Sequence, residues 1–287
     1  VNTQLAAAGV TRRFGPVVAV DDVSMHLGAG EVVGLVGANG AGKTTLIKML
    51  LGLLPVSRGR VAMFGATPSR SSRRRLGYVP QGLGLYRDLT VAENVAFHAA
   101  AFGLDASAVG LNPDLAAMTD RLVGSIGLGR QRQLAFACAL AHAPDLLVLD
   151  EPTSGVDPLA RARLWDSIRE EAARGAGVLV TTHYMEEAQQ CDRLVLMAAG
   201  RVAASGTDEE IVAGLTVVQV AAETWAAAFS TLGDRGFDVT LAGRLVRVSA
   251  AEPGRVRQIL RDAAIDAEIT VVPATLDEAM VAVSRRA

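Results

Sequence analysis

With 287 residues, half of them hydrophobic, the chain can bury a sizeable core and is long enough for one large domain and one small one. Its 28 Lys and Arg stand against 30 Asp and Glu, a net charge of -2, so no basic excess points to DNA or RNA and no nucleic-acid partner is expected. No apolar run approaches the ~20 residues of a membrane span, and no basic start with a long apolar stretch behind it suggests a signal peptide, so a membrane role would have to go through a partner.

Residues 5 to 36 carry short β-like runs separated by turn signals at 12–16, 21–22 and 28–30. Phe14 falls in an expected loop, where it is either a core side chain or a platform for a purine ring. Val32, Val33, Leu35 and Val36 then read as a buried strand, Gly37 to Gly42 as a loop, and Thr44 onward as a helix. Gly37, Gly42, Lys43 and Thr44 fill the pattern G-x-x-x-x-G-K-[ST]. Glycines at 37, 40 and 42 free the backbone to turn its N–H groups inward around phosphate oxygens, with Ala38, Asn39 and Ala41 between them in the same loop. Lys43 supplies a cation for the β- and γ-phosphates, the Thr44 hydroxyl a ligand for Mg²⁺, and Thr45 is expected to cap a phosphate or the helix start.

Arg60 to Phe64 is strand-like, and the arginine-rich stretch from Ser69 to Arg75 is either a solvated face or a docking surface. Leu76 to Pro80 is a buried strand ending at Gln81. A helix over 89–101 has Thr90 as N-cap and Glu93 completing a capping box, 103–125 is mixed helix and turn, and 132–142 is an alanine-rich helix. Residues 82–142 therefore read as a mainly helical insertion. Leu146 to Leu149 is apolar throughout and ends in Asp150 and Glu151, at the carboxyl end of a strand buried on both faces. A helix over 159–174, a strand over 177–182 ending at His183, a helix over 185–191 and a strand over 193–197 lead to a core that closes near residue 214. Strands alternating with helices imply a mostly parallel sheet, hence an α/β domain. Cys138 and Cys191 have no metal-ligand spacing and are expected to be small buried thiols in a reducing compartment. Residues 215–287 change rhythm to βαββαβ plus a last helix burying Leu276, Ala279, Met280 and Val283, which suggests a ferredoxin-like second domain.

Taken together, these motifs resemble the ATP-binding subunit of an ATP-binding cassette (ABC) transporter over residues 5 to 214, a P-loop NTPase fold. Gly37 to Thr44 is similar to its Walker A motif, Leu146 to Asp150 to Walker B, and Glu151 to the adjoining catalytic glutamate. Gln81 resembles the Q-loop glutamine, Thr153 to Asp157 the D-loop, His183 the switch histidine, and Phe14 the aromatic that stacks on adenine. The wording at 150–158 and 182–188, with Pro273 to Glu278 in the tail, looks most like the ABC-2 and multidrug-export group. The signature motif Leu-Ser-Gly-Gly falls on Ile126, Gly127, Leu128 and Gly129, so the serine is replaced by Gly127.

The resemblance implies ATP and Mg²⁺ as ligands, with Thr44, Gln81 and Asp150 toward the metal, Glu151 polarising water, and His183 at the γ-phosphate. It also implies a head-to-tail dimer, with itself or with a second ATPase subunit, in which Gly127 to Gly129 of one chain face the P-loop of the other. An integral membrane permease partner would place the protein on the cytoplasmic face of the membrane. The altered signature leaves open a nucleotide-gated subunit with weak hydrolysis.

Overall fold

The computed structural model describes residues 2–284, with side chains to residue 282. The chain divides between Ser205 and Gly206 into two compact units. The expected boundary was nine residues later; the short helix Asp208–Val212 belongs with the second unit because it packs on that unit's last helix. Among the described residues no helix is long and apolar enough to cross a membrane.

The first unit runs β1 (Thr3–Phe14), β2 (Val17–Gly28), β3 (Val32–Val36), α1 (Lys43–Leu50), β4 (Arg58–Met63), β5 (Leu76–Val79), α2 (Val91–Phe102), α3 (Pro113–Ala116), α4 (Leu128–Leu140), β6 (Leu146–Asp150), α5 (Pro158–Ala173), β7 (Gly177–Thr182), α6 (Met185–Ala188), β8 (Arg193–Ala198) and β9 (Arg201–Gly206). Six strands form one sheet in the order β5-β6-β7-β3-β8-β9, with parallel pairing from β5 through β8. Strands β3, β6 and β7 are buried at every position. Alternate side chains serve opposite faces: Val33, Leu35 and Val148 join α1 and β1 in one core, while Val32, Leu149 and Val180 pack with Phe136, Trp165 and Ile168 in another. That two-sided cover explains the unbroken apolar runs in the sequence. The separate antiparallel sheet β2-β1-β4 completes the first core.

Helix α2 starts at Thr90 with the expected capping box. Its Val91, Val95 and Ala99 pack with Leu134 and Cys138 in a third cluster, while Ala135, Phe136 and Ala139 turn to the second. Helix α4 is thus apolar on two sides and is shared by the sheet and the helical layer. It begins at Leu128, not Arg132, because Gly127 serves as its N-cap and the polar residues 130–133 form its first turns. The helix after His183 is a single turn ending at Ala188. Cys138 is buried as expected, but Cys191 is only half-buried; both thiols are free, and burial pushes each pKa up to about 12.

In the second unit, α7 (Asp208–Val212) precedes β10 (Thr216–Ala221), α8 (Trp225–Asp234), β11 (Asp238–Ala242), β12 (Leu245–Ser249), α9 (Pro253–Asp262), β13 (Glu268–Pro273) and α10 (Leu276–Ser284). The four-stranded sheet has the order β11-β12-β10-β13 and is antiparallel throughout, the ferredoxin-like arrangement. Val218, Val220, Val246 and Val248 pack under α8 and α9. Leu276 and Ala279 of α10 are buried as expected, Met280 is only half-buried, and the Val283 side chain lies outside the described residues.

Glu278 of α10 binds Arg247 of β12 through two bonds, at 2.7 and 2.9 Å, and also caps its own helix through the Thr275 N–H (2.7 Å). Burial disfavours the carboxylate, but the bonds from Arg247 and Thr275 outweigh it and hold its pKa below the usual 4.5. A depressed carboxyl stabilises the fold above its unfolded pKa, so this contribution is complete above about pH 4.5 and fades as the pH falls through the lower folded value. Glu278→Ala is expected to cost this unit about 1–3 kcal/mol at neutral pH, since the half-buried Arg247 is left without its acid and keeps only Gln219 and the Pro273 carbonyl. Urea denaturation of the full chain checks this, and a loss under about 0.5 kcal/mol would show the pair to be dispensable.

Candidate functional site

Strand β3 ends at Val36 between β7 and β8, and the chain turns through residues 37–42 into α1. Two glycines here are sterically required. A Cβ on Gly37 would sit 2.4 Å from the Met197 carbonyl oxygen, and one on Gly42 would sit 2.5 Å from that of Ala19; Gly42 also has φ 100°. Gly42 is the N-cap, so the helix begins at Lys43 and Thr45 does not cap it. The amides of Lys43, Thr44 and Thr45 precede the first helical bond, from the Leu46 N–H to the Gly42 carbonyl (2.9 Å), and are left to a ligand at the positive end of the helix. Lys43 is buried and donates to the Gly37 and Ala38 carbonyls at 2.6 and 3.1 Å. Burial lowers its pKa, while first Glu151 and then Asp150 pull it back up. The two acids thereby help keep an ammonium in a partly dry site.

At the end of β6, both oxygens of buried Asp150 accept hydroxyl bonds, one from Thr44 at 2.9 Å and one from Thr181 at 2.8 Å. Tyr78, on the neighbouring strand, has its phenol pushed up to about 12 by burial and, secondarily, by the Asp150 charge. Glu151 adopts φ 53°, a left-handed backbone that is costly for a residue with a Cβ. It is held from both ends: its N–H donates to Thr181 Oγ1 (2.7 Å) and its carbonyl accepts from Arg132 Nη1 (2.6 Å). The turn throws its carboxylate toward Gln81, whose Nε2 lies 3.3 Å from Oε2. A cleft of about 290 Å³ opens here, lined by Ala19, Gly40, Lys43, Thr44, Gln81 and Glu151 among others.

Lys43, Thr44, Gln81, Asp150 and Glu151 are thus brought together, with Asn39, Gly40, Gly42 and Thr45 on the cleft wall. Ala41 is buried behind them, its carbonyl bonded by the Gly200 N–H. Phe14, His183, Asp157 and Gly127 to Gly129 do not line this cleft. Phe14 closes β1 rather than lying in a loop, because Gly15 and Pro16 form a tight hairpin that pairs it with Val17. Its ring is nearly half exposed, with the Arg12 guanidinium 4.6 Å from its centre. His183 follows β7, whose Thr182 is in register with Val36 at the mouth of the loop. Asp157 caps α5 through the Ala160 N–H (2.9 Å). Gly127 caps α4 without a side chain, and open space surrounds the Cβ positions of Gly127 and Gly129.

Sequence reasoning missed Arg132, Thr181 and Ala19. Arg132 is buried in α4, and Thr181 joins the two acids from a strand that is 30 residues away in the chain. The one available signal was a charged residue on an otherwise alanine-rich helix.

A family model described as ABC transporter matches residues 20–154. The chain is 43% identical over 214 residues to the Nod factor export ATP-binding protein I of Burkholderia lata, an overlap of 71% of this chain and 70% of that protein. The chain belongs to the ABC transporter ATP-binding family. Within that family it is also 41% identical over 223 residues to the probable multidrug ABC transporter ATP-binding protein YbhF of Escherichia coli, covering 73% of this chain. It spans about two fifths of the length of YbhF, 38%. Among solved structures, that of an ATP binding subunit of an ABC transporter superposes with a TM-score of 0.67 at 32% identity, over 72% of this chain and 91% of the other. The parallel sheet, the glycine loop at its centre and the acids at the end of β6, one strand removed across β7, are therefore an ABC ATPase core of the P-loop NTPase class.

Proposed function

We propose that the chain binds ATP in the cleft at Lys43 and hydrolyses it to drive an exporter built with an integral membrane permease. The observation that carries this reading is the continuous bonding from Thr44 through Asp150 and Thr181 to Glu151, which fixes a hydroxyl, a carboxylate and a second carboxylate in order beside the phosphate loop. The first-turn amides and Lys43 would take the β- and γ-phosphates. Glu151, with Gln81 at its oxygen, would orient the attacking water and accept its proton as the bond to the γ-phosphorus forms and the β–γ bridge breaks. His183 would approach the γ-phosphate from β7, Phe14 would offer its open face to adenine, and Gly127 to Gly129 would present helix-end amides across a dimer.

The donors available for a metal are Thr44, Asp150 and Gln81, all hard oxygens, and among the described residues no group of three or more His, Cys, Asp or Glu could hold an ion unaided. That set fits Mg²⁺, which keeps waters and shares its coordination with phosphate oxygens. When bound, Mg²⁺ would neutralise charge on the triphosphate. The relatives' names support export, and a cytoplasmic location against the membrane follows from the permease partner. Whether the ATPase partner is a second copy or another subunit bears on the signature, since Gly127 supplies no hydroxyl. That absence favours a second reading, a nucleotide-gated subunit with slow turnover.

Phosphate release with and without EDTA, alongside retention of labelled ATP, tests both. Magnesium-dependent turnover is expected. Retention without turnover, with a permease partner included, would establish the second reading, and no retention at millimolar ATP would defeat both.

A further inference from the structure

The proposed mechanism leaves one expensive feature unused: Glu187 of α6, a carboxylate with 0% exposure. A buried carboxylate is a heavy liability unless paired, and two contacts hold this one. Thr182 Oγ1 donates to its Oε2 at 2.6 Å, and Arg161 of α5 sits with Nε 3.3 Å from Oε1. The first is a formed hydrogen bond. The second is an ion pair whose N–H is not aligned on the oxygen, so Arg161 Nε and Glu187 Oε1 each lack a hydrogen bond.

These contacts flank His183, which is itself exposed. Thr182 Oγ1 also accepts from the Tyr184 N–H at 3.0 Å, so the residues before and after His183 are tied to the same hydroxyl. The Arg161 guanidinium lies 4.8 Å from the centre of the Tyr184 ring, which in turn lies 4.2 Å from the His183 ring. Arg161 stands in the first turns of α5, the helix capped by Asp157 at the end of the segment that starts with Glu151. The two edges of the proposed reaction centre, His183 on one side and the 151–157 segment on the other, are therefore joined by one ion pair that is buried at its acid.

We propose that Glu187 and Arg161 are positioning residues that orient His183 and tie it to the segment following Glu151. This rests on the ATPase reading above. Closing the unaligned pair into a full hydrogen bond would draw α5 and the His183 turn together as one body, so the histidine would reach the phosphate only when the segment carrying Glu151 is also seated.

A mutant cycle tests it. Glu187→Gln is expected to lower kcat by about tenfold while leaving the KM for ATP within about twofold, as loss of orientation alone would do. In a His183→Ala background the same substitution should cost nothing further. An equal loss in both backgrounds, or a loss confined to KM, would overturn the proposal. Arg161→Gln, at a position one quarter exposed, should reproduce the effect and serves in place of Glu187→Gln should that variant not fold. Ring signals of labelled histidine give a readout free of activity: the His183 signal, identified by its loss in His183→Ala, should move in Glu187→Gln without nucleotide. An unmoved signal would overturn the proposal even where turnover falls, and a parent protein without turnover would defeat the ATPase reading while leaving this spectral test in force.

Discussion

Glu151→Gln is expected to retain ATP and to release phosphate about 10²–10⁴-fold more slowly than the parent, the range usual for loss of a positioned general base. The substitution is close to isosteric, and what holds Glu151 in place acts on its backbone. The Thr181 hydroxyl receives its N–H and the Arg132 guanidinium binds its carbonyl, so both contacts survive the change. Asp150 keeps its hydroxyl partners, and the metal-binding oxygens are untouched. What disappears is the proton acceptor alone. Affinity for labelled ATP and phosphate release measured on the same preparation check this, and turnover within twofold of the parent would remove Glu151 from the mechanism.

Lys43→Ala should fail in the opposite way, weakening ATP binding by about 10²-fold, or about 2–3 kcal/mol, the worth of a buried charge-assisted contact. In the ligand-free chain the ammonium is bonded to the Gly37 and Ala38 carbonyls, and burial works against its charge. An arriving triphosphate adds negative charge to that of Glu151 and Asp150, so binding further offsets the cost of keeping that cation partly dry. Alanine removes the cation and also unties the loop from its own lysine. Equilibrium dialysis with labelled ATP decides the matter: an affinity within threefold of the parent would mean that backbone amides alone hold the phosphates.

These two residues were legible in the sequence because their signals are local. Lys43 follows glycines at fixed spacing, and Glu151 follows an apolar run that can only be a buried strand. The tail was legible for a related reason: each strand and helix there keeps its own period, and the observed sheet order β11-β12-β10-β13 is what βαββαβ connectivity gives in the ferredoxin-like arrangement. Arg132 and Thr181 were not legible, because their meaning lies in partners 19 and 30 residues away. Nor were Arg161 and Glu187, which look like ordinary helix-surface charges until α5 is laid against β7. Phe14 lies in a strand and not in a loop because Gly15 and Pro16 turn the strand instead of breaking it. The start of α4 leaves no apolar signal in the sequence because residues 129–133 offer glycine and polar side chains in place of an apolar period.

Helix α4 has an implication for how force would travel through the molecule. Its open tip is Gly127, its shaft is wedged between two hydrophobic cores, and Arg132, little more than one turn along, grips the carbonyl of Glu151. A neighbour pressing on that tip would act on a stiff lever whose short arm ends at the reactive acid, so engagement outside the nucleotide cleft could be registered at the bond-breaking step through a single guanidinium.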